Sequence, residues 1–178
     1  AIPRTCCAAL VALLTLGLAP VSTAQSPHLR VLDQPLKTLL DRGAAQSPTL
    51  RRLVEEVETT PVLIFVECAM KLPSGVGGRT NFVTSVNAMR FVRVAIDCTL
   101  TERWQTTLMA HEIQHALEIG RRPEVDDVEA MEELYEEIGI PTVRDRAHRH
   151  FETAEAMAVQ RAVEQELEGR GARPPNAY

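Results

Sequence analysis

Leu108-Met-Ala-His111-Glu112-Ile-Gln-His115-Ala-Leu117 is the stretch on which the reading of this chain turns. Two histidines stand four residues apart, with a glutamate directly after the first. On a helix, residues four apart lie one turn apart on the same face, so His111 and His115 can converge on one metal ion. Glu112 then sits where its carboxylate can take a proton from a water that the ion activates. The flanking Ala110, Ile113, Gln114, Ala116 and Leu117 are uncharged, as a helix sunk beneath a sheet requires. The alternative is an ordinary amphipathic helix with two surface histidines.

Outward from that helix, the hydrophobic period divides the chain. From Thr101 onward it is helical, predicting helices over about 102–119, ending at Gly120, about 125–138, ending at Gly139, and about 150–168, ending at Gly169. Upstream, Arg79 to Val86 and Phe91 to Asp97 are strand candidates, preceded by a break at Gly75, Gly77 and Gly78. Val62 to Val66 is a short, continuous, β-branched apolar run suited to a central strand. Before it, Ser47-Pro48 places a capping oxygen ahead of a proline, and Leu50, Leu53, Val54 and Val57 follow at helical spacing until Thr60-Pro61. The order predicts an α+β domain, with a short mixed sheet packed on the histidine helix and further helices after it.

The 178 residues, 45% hydrophobic and 24% charged, suit one globular domain rather than a coiled coil or a disordered chain. Residues 1–24 read as a secretory signal: Arg4, an apolar run from Cys6 to Leu18, then Pro20 and small residues up to Ala24. That run is short of the roughly 20 residues that span a bilayer, so no stable membrane insertion is expected once it is removed. Residues 25–34 read as a polar lead-in that includes His28, 35–168 as the domain, and 169–178 as a loose tail. Without residues 1–24 the balance is 18 basic residues against 24 acidic. Nothing in it invites nucleic acid, whose binding draws on clustered Lys and Arg. Cys6 and Cys7 leave with the signal. Cys68 and Cys98 each directly follow a strand-like run, so a disulfide between neighbouring strand ends is expected in an oxidising compartment, against the alternative of two buried thiols.

The stretch from Leu108 to Leu117 resembles the active-site helix of the zincin metallopeptidases. The resemblance implies Zn²⁺ on His111 and His115, Glu112 as general base, and a substrate laid along an antiparallel edge strand. Arg79 to Val86 takes the place of that strand, with Arg79 to Phe82 bordering the cleft and Gly77 and Gly78 allowing close backbone approach. The third ligand separates the branches. The metzincin extension wants Gly and His where this chain has Glu118 and Arg121. The thermolysin-like extension wants an Asn-Glu pair about twenty residues on, where Tyr135 stands. Glu133 and Glu136 are close in spacing, but Glu124 to Glu137 carries eight carboxylates and no cation, as a solvated acidic face does.

The last predicted helix is the better supplier. At 100° per residue, Glu152 and Glu155 both fall on the side marked by Phe151, Ala158, Val159, Ala162 and Val163, and inward carboxylates need a partner. Phe151-Glu152-Thr153 resembles the second motif of small, uncharacterised secreted bacterial proteins that carry a His-Glu-x-x-His helix. Glu152 is therefore expected as the third ligand, with Glu155 as the alternative. Glu118 is expected to support a ligand or form a salt bridge, and His148, His150 and Tyr135 are weaker candidates for a donor to a developing oxyanion. The resemblance implies a secreted or periplasmic zinc peptidase that acts on peptide or protein substrates. The alternative is a zinc-binding interaction module without turnover on the same scaffold, against which Glu112 speaks, since a purely structural site has no need of it.

Overall fold

In a computed structural model of the chain, residues 27–142 and 150–169 are described. The expected signal over 1–24, the tail beyond 169 and His148 lie outside these residues. The elements run β1 (Leu29–Val31), α1 (Gln34–Gln46), α2 (Pro48–Val57), β2 (Val62–Ala69), β3 (Gly78–Val86), β4 (Met89–Asp97), α3 (Glu102–Gly120), α4 (Val128–Ile138), β5 (Ile140–Thr142), β6 (His150–Glu152) and α5 (Ala154–Leu167). Four strands form a mixed sheet in the order β1-β2-β4-β3. In it β2 runs parallel to β1 and β4, and β3 is antiparallel to β4. A second, two-stranded sheet pairs β5 with β6. The chain is an α+β domain, as its period predicts.

Residues 29–31, expected in the lead-in, form strand β1 instead. Leu29 and Val31 are buried, and Leu32 N–H donates to Val66 O at 2.8 Å. Three residues carry too little periodicity to reveal a strand; the parallel edge of β2 organises them. His28 likewise has a task, its Nδ1 lying 3.1 Å from Val57 O and 3.2 Å from Thr60 O. The sequence reading also lacks α1, which buries Leu36, Leu39, Leu40 and Gly43. Ser47 caps α2 as expected, accepting from Leu50 N–H.

Strand β2 is central, and among the described residues one of its faces is the better covered: Val62, Ile64 and Val66 are fully buried, while Leu63 and Phe65 are half-buried. Helix α3 joins those residues in the core, setting Met109, Ile113, Ala116 and Leu117 with Ile64, Val92, Val94 and Ile96. At about 1.5–3 kcal/mol for each large apolar side chain buried, this packing can hold a helix that also buries His111, Glu112, Gln114, His115 and Glu118. Burying so many polar groups demands partners for them.

Two devices fasten the ends of α3. The Cys68–Cys98 disulfide, with its Cα atoms 5.7 Å apart, ties the end of β2 to the turn between β4 and α3. Beyond the helix, the buried Arg90 guanidinium donates to the carbonyls of Val125 (3.0 Å), Arg122 (3.1 Å) and Pro123 (2.6 Å), and so pins the connection to α4 against the sheet. Helix α5 begins at Ala154, later than the predicted 150, because Thr153 is its N-cap and accepts from Ala156 N–H. That places Glu152 on β6 and Glu155 in the first turn of α5.

Candidate metal centre

His111 and His115 lie one turn apart on α3, their Nε2 atoms 3.1 Å apart and their rings at 79°. Glu152 brings Oε2 to 2.9 Å from His111 Nε2. One donor atom from each of these three residues falls within 4.8 Å of the others, a grouping that could hold a metal ion. Strand β6 delivers Glu152 through its pairing with β5, where Glu152 opposes Ile140.

The surroundings fit such an ion. Glu118 Oε2 lies 2.9 Å from His115 Nδ1. An ionised carboxylate only accepts, so Nδ1 carries the hydrogen and the Nε2 lone pair is left facing His111 and Glu152. Glu118 is itself held by Thr153 Oγ1, which donates to Oε1 at 2.7 Å, and by Gln114 Nε2 at 3.4 Å. Burial pushes the Glu118 carboxyl up, but its bonds with His115, Thr153 and Gln114 outweigh this and hold it below the ordinary value. At His111, burial disfavours the imidazolium, yet the bond to Glu152 and the charges of Glu112, Glu152 and Glu118 raise its pKa overall. The same negative field that favours a proton there favours a metal cation. His111 Nδ1 is buried with no partner among the described residues.

Of the two carboxylates expected to point inward, Glu152 joins the histidines and Glu155 does not. The side chain of Glu155 is 69% exposed and pairs with Arg121 at 3.3 Å, and it accepts from Gln114 Nε2 at 2.9 Å. The 100° count was carried through the cap at Thr153, where the backbone is extended, so it does not apply to Glu152. Tyr135 is also differently employed: its hydroxyl donates to His115 O at 3.0 Å and its ring meets the His115 ring edge-on. Burial, followed by the charges of Glu118 and Glu112, raises its pKa well above the ordinary value. Glu133 and Glu136 are exposed on α4 and outside the cluster.

Glu112 is buried between α3 and β3, where Oε2 accepts from Thr80 Oγ1 at 2.7 Å. The space left by the two glycines is filled from within the protein, at Gly78 by the Glu112 carboxylate and at Gly77 by Leu108. A cleft of about 1270 Å³ is lined by residues 75–82, Trp104, His111, Glu112, His115 and Glu152, together with Val128, Met131 and Tyr135 of α4. Sequence reasoning placed Thr80 in the stretch bordering the cleft and Thr153 in the Phe-Glu-Thr motif but gave neither side chain a role. A threonine followed by an acid in the next turn is an N-cap signal that could have exposed Thr153, whereas no local signal marks Thr80. Compared with protein-family models, with curated proteins and with solved structures, the chain matches none.

Proposed function

We propose that this protein is a zinc-dependent hydrolase, a peptidase of the zincin type that acts on peptide or protein substrates outside the cytoplasm. The observation that carries the proposal is the convergence of His111, His115 and Glu152 beside Glu112 in an open cleft. Two imidazoles and one carboxylate are a donor set used by catalytic zinc, which keeps a further position open. Bound there, Zn²⁺ would supply Lewis acidity toward a water and a scissile carbonyl.

The chain's own residues supply the rest. Glu112 takes the proton of the attacking water and returns it to the leaving amine. Glu118 keeps His115 in the tautomer and orientation that a ligand needs. Strand β3 lies at the edge of the sheet, so main-chain groups along residues 79–82 can pair with an extended substrate segment. The cleft is open enough for such a segment. The Cys68–Cys98 disulfide supports an oxidising, extracytoplasmic compartment. Glu112→Gln tests the assignment because it preserves shape and both imidazoles. Zinc should stay bound, and cleavage of a quenched fluorogenic peptide library should fall by orders of magnitude. Undiminished cleavage would refute Glu112 as the base.

A further inference from the structure

We propose that the edge strand β3 positions Glu112 for catalysis through two residues, Thr80 and Gly78, an inference that rests on the hydrolase reading above. Side chains two apart on a strand share a face, and on β3 the face that bears Gly78 and Thr80 continues to the buried Phe82. Both residues meet the same carboxylate. Thr80 Oγ1 lies 2.7 Å from Glu112 Oε2 and 3.2 Å from the Glu112 carbonyl, so one hydroxyl reaches both ends of the residue. At Gly78, a Cβ would stand 2.6 Å from Oε1 and 2.8 Å from Cγ, inside any tolerable contact. Gly78 is not among the residues with positive φ. Its backbone would accept any residue, and the missing side chain is therefore needed for space.

The two contacts act together. Thr80 draws one oxygen of Glu112 toward the strand, and Gly78 lets the other oxygen pass against the backbone. A glutamate has three rotatable bonds, and a general base works only with a lone pair within hydrogen-bond reach of its proton. A displacement near 1 Å costs about 10²-fold in rate. Because the carboxylate is the far end of a flexible side chain, a methyl group at position 78 would push it aside without moving the backbone. Neither Thr80 nor Gly78 belongs to the metal cluster, so moving the base is separable from losing the metal.

The test uses the full chain as Thr80→Val, Thr80→Ser and Gly78→Ala, assayed on the fastest-cleaved member of the fluorogenic library. Zinc affinity, measured by chelator competition, should stay within threefold of wild type. Thr80→Val and Gly78→Ala should each lower kcat by about 10²-fold with little change in KM. Thr80→Ser should recover to within threefold, and Thr80→Val should add nothing in a Glu112→Gln background. A kcat for Thr80→Val within threefold of wild type, or failure of serine to rescue, overturns the proposal. A second measurement needs no turnover: in metal-free protein, a urea-unfolding cycle of Thr80→Val with Glu112→Leu should show coupling of about tenfold in the unfolding constant. Additivity in that cycle with an active wild type overturns the proposal alone. Coupling with a wild type that cleaves nothing overturns the hydrolase reading, and the catalytic role of β3 with it, while leaving the bond itself in place.

Discussion

Glu118→Ala is expected to weaken zinc binding by about 10 to 100-fold while leaving all three donor side chains present, a loss of about 1.4–2.7 kcal/mol. The magnitude follows from what the carboxylate holds. Its Oε2 fixes the hydrogen on His115 Nδ1 from 2.9 Å; without it, His115 can take the other tautomer, whose Nε2 hydrogen blocks the metal-facing lone pair. The alanine also strands the Thr153 hydroxyl, which donates to Oε1 at 2.7 Å, and an unsatisfied buried donor costs about 1–3 kcal/mol of stability. Relief from burying a carboxylate offsets part of that cost, so the fold should survive with a lowered melting temperature. Glu118→Gln keeps the shape and one acceptor oxygen, and should fall between wild type and alanine. The assay is chelator competition on zinc-loaded variants first shown to be folded by circular dichroism. Folded Glu118→Ala that binds zinc within twofold of wild type would refute the claim that Glu118 orients a ligand.

Replacing Cys68 and Cys98 together by serine opens a loop with a sequence separation of 30, and chain-entropy arguments give a loss of about 3.5 kcal/mol; urea unfolding checks it, and a loss under about 1 kcal/mol would contradict the entropic account. Glu166 offers a pH signature. Burial raises its carboxyl, but bonds from Ser47 and Thr49 and the charge of Arg52 outweigh this and lower it below the ordinary 4.5. A depressed carboxyl contributes stability above its unfolded value and loses it as the pH falls through its folded one. The melting temperature of wild type should therefore exceed that of Glu166→Gln most near neutral pH, with the gap closing below that ordinary value; a gap independent of pH between 7 and 3 would contradict it.

The parts of the fold written in long periodic segments were legible in the sequence. Helix α3 announced itself by uncharged residues around the two histidines, and β2, β3 and β4 by their strand-like runs, with Gly75, Gly77 and Gly78 marking the break before β3. What failed was short or conditional on tertiary partners. Strand β1 exists because β2 presents an edge to Leu29–Val31, and β6 because β5 pairs with it; three residues state no period of their own. Glu155 was misplaced because Ala158 and Ala162, taken to mark the inward side, are exposed and half-buried, α5 burying Ala156 and Val163 instead; Glu152 stands beside the histidines through β6 rather than through any helical phase. Glu118 was readable as a supporting group from its place a turn beyond the histidines. The bond of Thr80 to Glu112 was not readable, since it spans 32 positions and depends on strand register, although Thr80 lies in the stretch expected to border the cleft.

The central claim, that His111, His115 and Glu152 hold one zinc ion, is tested most directly by equilibrium zinc binding to the purified protein beside His115→Ala, Glu152→Ala and Glu155→Ala. Wild type should bind one Zn²⁺ per chain, His115→Ala should lose most of it, and Glu152→Ala should bind more weakly than Glu155→Ala, whose side chain is 69% exposed and paired with Arg121. Wild-type protein that takes up no zinc from an excess, or a Glu155→Ala variant that binds more weakly than Glu152→Ala, would contradict it.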